Sequence, residues 1–76
     1  MRSGFLFWNG KLHNLHWGQF HEYNLHGYVV DLEVPIENHK NPMSRYGTFT
    51  DGSWRDCEYA DLPAQFKAHL LLMGIQ

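Results

Sequence analysis

The chain has 76 residues, of which 43% are hydrophobic and 16% aromatic, and its formal net charge is −2 with the six histidines neutral. This length accommodates one domain, residues 1–76, and the composition is globular rather than disordered. The slightly acidic balance excludes the strongly basic surface of a nonspecific nucleic-acid binder. No run of the sequence approaches the ~20 apolar residues of a membrane span. We therefore expect a cytoplasmic protein with no membrane association.

The first predicted element is a β-hairpin that turns at Asn9 and Gly10. An apolar run, residues 5–8, precedes this pair. Asn-Gly supplies the two positive-φ residues that a type I′ turn requires, and a two-residue loop pairs Trp8 with Lys11. Large apolar side chains fall on both faces of this hairpin, so the pattern does not indicate which face contacts the core.

Residues 28–34 show the clearest alternation of the chain and predict a further strand. Asp31 and Glu33 are expected to point to solvent. The apolar side chains are expected to contact the core: Tyr28, Val30, Leu32 and Val34. Pro35 has no amide proton for a sheet ladder and is predicted to end the strand. The segment of residues 35–45 that follows is predicted to be an exposed loop.

A second hairpin is predicted to turn at Asp51 and Gly52. Its register places Phe49 beside Trp54, an aromatic pair on one face of the two strands. The opposite face is predicted to contact solvent and carries polar side chains: Thr48, Thr50, Ser53 and Arg55.

A single helix is predicted near the C-terminus, with Asp61 as the N-cap, Pro63 in the first turn and Gly74 at the end. One stripe of this helix is predicted to face the core: Leu62, Phe66, His69, Leu70 and Met73. A helix of this length needs a sheet to pack against. We therefore predict an α+β fold, a small antiparallel sheet of about four to five strands, including two hairpins, with one C-terminal α-helix packed on one face.

Four of the six histidines lie in one aromatic-rich segment, residues 13–26. Histidine is the commonest metal ligand and titrates near neutral pH. No pair of cysteines accompanies these residues, and His13 and His16 on one strand would point to opposite faces. One alternative is nevertheless a metal-binding or pH-responsive module that uses three of these histidines: His16, His21 and His26.

Nothing in the sequence assembles the groups of an active site. A phosphate-binding glycine loop, a nucleophile elbow and a zinc-protease helix are all absent from it. The single cysteine, Cys57, is surrounded by Asp56, Glu58 and Asp61, which disfavour the reactive thiolate. We therefore expect a protein that is not an enzyme and has no cofactor.

The leading hypothesis is a binding protein that occupies a surface of a larger partner protein, as an inhibitor or adaptor. Aromatic residues dominate binding hot spots. The predicted contact residues are His13, His16, Trp17, Phe20, His21 and Tyr23. By size and composition alone, such a chain suits the small inhibitor proteins of phages and other mobile elements.

Two further interpretations stay open. The helix end is apolar on all sides, and Leu71 points away from the core stripe beside the small Ala64, which is typical of a homodimer contact. A single-stranded nucleic-acid adaptor that stacks bases on exposed rings is a third hypothesis. The acidic balance makes nucleic acid an unfavourable partner.

Overall fold

The computed structural model describes residues 3–16, 26–35 and 44–75, and within these ranges the chain forms an antiparallel five-stranded sheet, a short 3₁₀ helix and an α-helix. The strands are β1 (Ser3–Trp8), β2 (Lys11–His16), β3 (His26–Asp31), β4 (Tyr46–Thr50) and β5 (Ser53–Asp56). Their spatial order is β2-β1-β3-β4-β5. The 3₁₀ helix (Tyr59–Asp61) leads into α1 (Ala64–Leu72). The predicted α+β fold, a sheet with one C-terminal helix, is confirmed.

Both hairpins turn as their dipeptides predict. The first turn has φ values of 52° at Asn9 and 75° at Gly10, and the second has 51° at Asp51 and 79° at Gly52. Positive φ at both central residues is the signature of a type I′ turn, which matches the twist of the flanking strands. The residues that flank each turn pair directly across the strands, so both predicted registers are confirmed.

Each face of the sheet carries its own apolar core. Alternation along β1 sends Leu6 and Phe7 to opposite sides. The core on the side of α1 contains the buried residues Phe7, Val30, Tyr46, Leu62, Phe66 and Leu70. The core on the other side contains the buried residues Leu6, Leu15, Val29 and Phe49, flanked by Trp8 and Trp54. The helix thus covers the face that bears Phe7, a choice that the sequence pattern leaves open.

The start of the helix differs from the prediction. Asp61 is not the N-cap of α1 but the last residue of the 3₁₀ helix, where its carboxylate accepts a hydrogen bond from the main-chain N–H of Glu58 at 3.4 Å. Pro63 directly precedes α1 rather than lying in its first turn. The local capping box between Glu58 and Asp61 uses the carboxylate that the sequence assigns to α1.

The end of the helix is the predicted one. Gly74 has a φ of 74°, a conformation that glycine adopts without strain. The N–H of Ile75 donates to the carbonyl of Leu70 at 2.8 Å, and the N–H of Gly74 donates to that of Leu71 at 3.0 Å. This pair of bonds is a Schellman motif, and it returns Ile75 to the core beside α1.

Strand β3 ends three residues earlier than the alternation predicts. Asp31 is buried, with an exposure of 0%, and Oδ1 of its carboxylate accepts the N–H of Glu33 at 3.0 Å. This Asx turn, together with a 3.3 Å bond from the Val34 N–H to the Asp31 carbonyl, bends the chain out of the sheet. The expectation of a solvent-facing Asp31 is therefore wrong, because the side chain is used to make the turn.

The end of the predicted exposed loop is also buried. Ser44 and Arg45 have exposures of 2% and 8%. Nη1 of Arg45 donates to the carbonyl of Val34 at 2.6 Å, and the Ser44 hydroxyl donates to the carbonyl of Tyr46. These polar side chains near the start of β4 can be buried because they donate hydrogen bonds to main-chain carbonyls.

Candidate functional site

The predicted contact surface on the first hairpin is only partly described. His13 and His16 are exposed on β2, an outermost strand of the sheet, whereas the other four predicted contact residues, Trp17, Phe20, His21 and Tyr23, lie outside the described residues. His13 pairs with Leu6 and its ring lies 6.2 Å from that of Trp8, while His16 pairs with Ser3. The two histidines therefore lie on opposite faces of the sheet, as their spacing predicts, and a partner reaches both only along the edge of β2.

The two described members of the alternative metal set do not come together. His16 pairs with Ser3 at one end of β1, whereas His26 lies two residues beyond the pair formed by Phe7 and Tyr28 at the other end. Six residues of strand separate them, which corresponds to about 20 Å. One ion cannot contact both side chains. Across residues 3–16, 26–35 and 44–75, no group of three candidate ligands converges on one point.

His26 instead lies close to an acidic residue of the second hairpin. Its Nε2 atom is 3.2 Å from Oδ1 of Asp51, and both side chains are largely exposed, at 49% and 72%. The pairing of His26 with Thr50 at the end of β4 brings the imidazole beside the turn. This contact was not predicted, because it depends on the pairing of two strands that are far apart in sequence.

The outward side of α1 forms the main apolar surface of the described chain. We define the outer helix patch as Ala64, Ala68, Leu71 and Leu72. These residues follow the i, i+4, i+7, i+8 spacing of one helix face, and all four are exposed, Leu71 at 74% and Leu72 at 85%. The opposite side of the helix buries Phe66 and Leu70 completely. The helix is therefore apolar on two sides but covered on only one.

The remaining exposed apolar groups lie close to this patch in sequence. Within the described ranges, the large hydrophobic side chains that are exposed all lie between residues 59 and 73: Tyr59, Leu71, Leu72 and Met73. The prediction that Met73 faces the core is therefore wrong. Tyr59 packs edge-on against Tyr46, with ring centroids 5.4 Å apart. Nζ of Lys67 lies 5.9 Å from the centroid of the Tyr59 ring, a cation–π contact. The outer helix patch itself contains no charged side chain.

The prediction of an apolar contact at Ala64 and Leu71 thus names two residues of this patch. Both are exposed, as a contact surface requires. Sequence reasoning missed Ala68 and Leu72, although a helical projection of residues 64–72 places them on the same side. In the sequence these residues are interleaved with Phe66 and Leu70, which are buried, so the apolar run alone does not separate the two faces.

The surroundings of Cys57 make its thiol unreactive. Burial, together with the carboxylates of Asp61 and Asp56, raises the pKa of the half-buried Cys57 thiol to about 11. The thiol is therefore protonated at neutral pH, whereas a nucleophilic cysteine needs the thiolate. The acidic surroundings that the sequence predicts for Cys57 are present in the structure.

None of the helices in residues 3–16, 26–35 and 44–75 is long and apolar enough to cross a membrane. Comparison of the chain with protein-family models, with curated proteins and with solved structures finds no match. Its function must therefore be inferred from the chemistry of its surface.

Proposed function

We propose that this chain is a small non-enzymatic binding protein, of inhibitor or adaptor type, that acts by occupying a surface of a larger partner protein. The observation that carries the proposal is the outer helix patch, where Leu71 and Leu72 are 74% and 85% exposed. Burial of one leucine side chain is worth about 1.5–3 kcal/mol. Contiguous apolar surface on a small domain usually marks an interaction site.

The dimensions of the patch favour a concave partner. The nine residues of α1 span about 13.5 Å, whereas a standard interface buries ~800 Å² on each side. That area is about a sixth of the 4879 Å² surface of this chain. A flat contact along one short helix covers less than this, but a groove that surrounds α1 on several sides also covers its flanks. We therefore assign the patch to an apolar groove of a larger protein, with Ala64, Leu71 and Leu72 as the inserted residues.

The charge at the border of the patch adds one requirement on the partner. Lys67 is the single Lys or Arg side chain of α1, and it lies beside the Tyr59 ring at the edge of the patch. An acidic group at the rim of the groove would pair with this ammonium without entering the apolar centre. The proposed partner surface is thus an apolar groove with an acidic rim.

The histidine segment is retained as a second, predicted contact of the same protein. Its residues are His13, His16, Trp17, Phe20, His21 and Tyr23. The exposed histidines on β2 are accessible along the sheet edge, where a partner can contact both. A contact at this edge would enlarge the interface beyond the area of the helix.

The experiment that tests the proposal compares two surface variants. Wild-type protein is immobilised, a partner is captured from a lysate of the native host, and the purified partner is then titrated calorimetrically. The double variant Leu71→Asp, Leu72→Asp is expected to bind at least about tenfold more weakly, because two apolar anchors are lost. Ser53→Asp, which adds a negative charge at an exposed position of β5 away from α1, is the control and is expected to bind within about twofold of wild type.

Three outcomes contradict the proposal. The first is a partner that binds the double variant as tightly as wild type, with circular dichroism confirming that the variant is folded. The second is a wild-type protein that captures nothing. The third is a dimer, detected by light scattering after size exclusion, that the same double substitution dissociates. That result would assign the outer helix patch to a second copy of this chain.

A further inference from the structure

Two concavities lie beside each other on the α1 side of the sheet, and together we call them the trough. One has a volume of about 250 Å³, and its lining residues include Phe7, Trp8, His26, Tyr28 and Pro63. The other has a volume of about 360 Å³ and is lined by Thr48, Thr50, Ser53, Trp54 and Arg55. Neither set of residues belongs to the outer helix patch.

The strand register makes the two concavities neighbours. Tyr28 pairs with Thr48, and Thr48 pairs with Arg55. Directly paired residues share a face of the sheet, so these three side chains form a row across β3, β4 and β5. Adjacent strands lie ~4.8 Å apart, which places Tyr28 and Arg55 about 10 Å from each other along the row. His26, Thr50 and Ser53 form a parallel row beside the first.

The β5 end of the trough is suited to an anion. Arg55 is exposed, and within the described residues its guanidinium makes no hydrogen bond or ion pair. The lining of the same concavity also includes three hydroxyl side chains, those of Thr48, Thr50 and Ser53. Arginine and hydroxyl groups are the usual ligands of phosphate oxygens.

The two carboxylates nearest in sequence to Arg55 do not line its concavity. Asp51 lies 3.2 Å from His26, at the border of the other concavity. Asp56 follows Arg55 on β5 and therefore points to the opposite face, where it accepts the indole N–H of Trp54 and the main-chain N–H of Ser44. The lining of this concavity contains Arg55 but no acidic residue among the described residues. Its charge is thus complementary to a negatively charged group.

The β1 end of the trough is suited to a planar ring. The lining here is predominantly apolar and includes three aromatic residues, Phe7, Trp8 and Tyr28, with the imidazole of His26 at the border. Phe7 is buried and stacked on Phe66, so the half-buried Tyr28 ring is the one on this face that can bind a planar group by stacking. The trough therefore runs from an aromatic end to a cationic end over a distance that a small molecule spans.

We propose that this trough is a second binding site, for a planar ring that is joined through a short spacer to a phosphate, as in a nucleoside monophosphate. The ring lies against Tyr28 and the phosphate contacts Arg55 and the neighbouring hydroxyls. The site is open on one side, so binding is weak and reversible. This proposal is independent of the partner surface on α1, because the two sets of residues do not overlap.

The test uses the full chain, ¹⁵N-labelled and titrated with adenosine 5′-monophosphate, adenosine or inorganic phosphate while amide shifts are recorded. The monophosphate is expected to bind more tightly than either fragment, with saturating shifts at Tyr28, Thr48 and Arg55. Arg55→Gln is expected to weaken the binding of the monophosphate about tenfold and to leave the binding of adenosine unchanged. Lys11→Gln, which removes another exposed cation on β2, is the matched control and is expected to bind as wild type does.

The proposal is overturned if the monophosphate binds no more tightly than adenosine, because the anion then contributes nothing. Shifts confined to other parts of the chain also overturn it. The proposal is also overturned if Arg55→Gln and Lys11→Gln weaken binding of the monophosphate equally, because this result indicates general attraction between charges. Arg55 is a surface residue, so its substitution leaves the fold intact, and the amide spectrum of the free variant verifies this.

Discussion

The rings of Phe7 and Phe66 lie nearly parallel, with centroids 5.4 Å apart and an interplanar angle of 8°. Phe7 projects from β1, an interior strand of the sheet, and Phe66 projects from the middle of α1 and is fully buried. His69, one turn further along the helix, also contacts the Phe7 ring, at 6.1 Å. The stack therefore determines where the helix lies on the sheet.

Truncation of this stack is expected to be the most destabilising single change in α1. Phe66→Ala removes a fully buried ring and is expected to cost about 3–5 kcal/mol of the free energy of unfolding. Phe66→Leu keeps part of the apolar volume and should cost less stability. It replaces Phe66→Ala in the measurement if the alanine variant does not fold. Urea denaturation followed by circular dichroism measures both, with Gln65→Ala as the exposed control. Equal stability of Phe66→Ala and Gln65→Ala would contradict this packing.

Two adjacent leucines should respond very differently to truncation. Leu70 is 0% exposed and Leu71 is 74% exposed. Leu70→Ala is expected to cost about 2–5 kcal/mol, whereas Leu71→Ala should change the unfolding free energy by less than ~0.5 kcal/mol. The comparison of the two urea midpoints tests the orientation of α1 directly. A larger loss for Leu71→Ala would mean that the helix is rotated about its axis.

A second matched pair tests the turn after β3. Asp31→Ala removes the acceptor of the Glu33 N–H from a buried position and is expected to cost about 1–3 kcal/mol. Glu33→Ala removes an exposed carboxylate that accepts one bond from the Ser3 hydroxyl, and should change stability by less than ~0.5 kcal/mol. Thermal melts of the two variants are the measurement. Similar melting temperatures would mean that both carboxylates face solvent, as simple alternation predicts.

Asp56 should make the stability depend on acid. The indole N–H of Trp54, and secondarily the Ser44 N–H at 3.2 Å, lower the pKa of Asp56 below its ordinary value of 3.8. Since the pKa in the folded state is below that in the unfolded state, ionised Asp56 stabilises the fold above pH 3.8, and this contribution is lost as the pH falls through the folded pKa. Asp56→Asn does not titrate, so its melting temperature should fall less steeply than that of wild type between about pH 4 and pH 2. If the melting temperatures of the two proteins fall in parallel as the pH is lowered, Asp56 is not responsible for the loss of stability in acid.

Cys57 should react slowly with alkylating agents. With a pKa of about 11, against the ordinary 9.0, its thiolate is about 100-fold less populated at pH 8 in the folded protein than in the unfolded chain. Iodoacetamide labelling, followed by mass spectrometry, should therefore be about 100-fold faster in concentrated urea than in buffer at the same pH. A folded-state rate close to the urea rate would contradict the burial of the thiol and its acidic surroundings.

The elements that sequence reasoning predicts correctly depend on neighbours in the chain. The two turns follow from the dipeptides Asn9-Gly10 and Asp51-Gly52, and the helix end follows from Gly74. In each case the residues that cause the structure adjoin it. Local stereochemistry is then sufficient to predict the element.

The features that the sequence does not reveal depend on contacts between distant segments. The pairing of β1 with β3 and the choice of the Phe7 face for α1 are set by packing. Strand β3 ends early because the Asp31 side chain makes a turn, which alternation of apolar residues does not encode. Of the predicted site, Ala64 and Leu71 are exposed together on α1, whereas His13 and His16 are separated by the sheet.

The spatial order β2-β1-β3-β4-β5 has a consequence for how the chain folds. Each edge of the sheet is a hairpin with a two-residue turn, and such hairpins form within about 1–10 μs on their own. Strand β3 pairs with β1 on one side and with β4 on the other, and both of these pairings close much longer loops. We therefore expect the insertion of β3 between two preformed hairpins to set the folding rate. Loss of β3 pairing would divide the sheet into two independent ribbons.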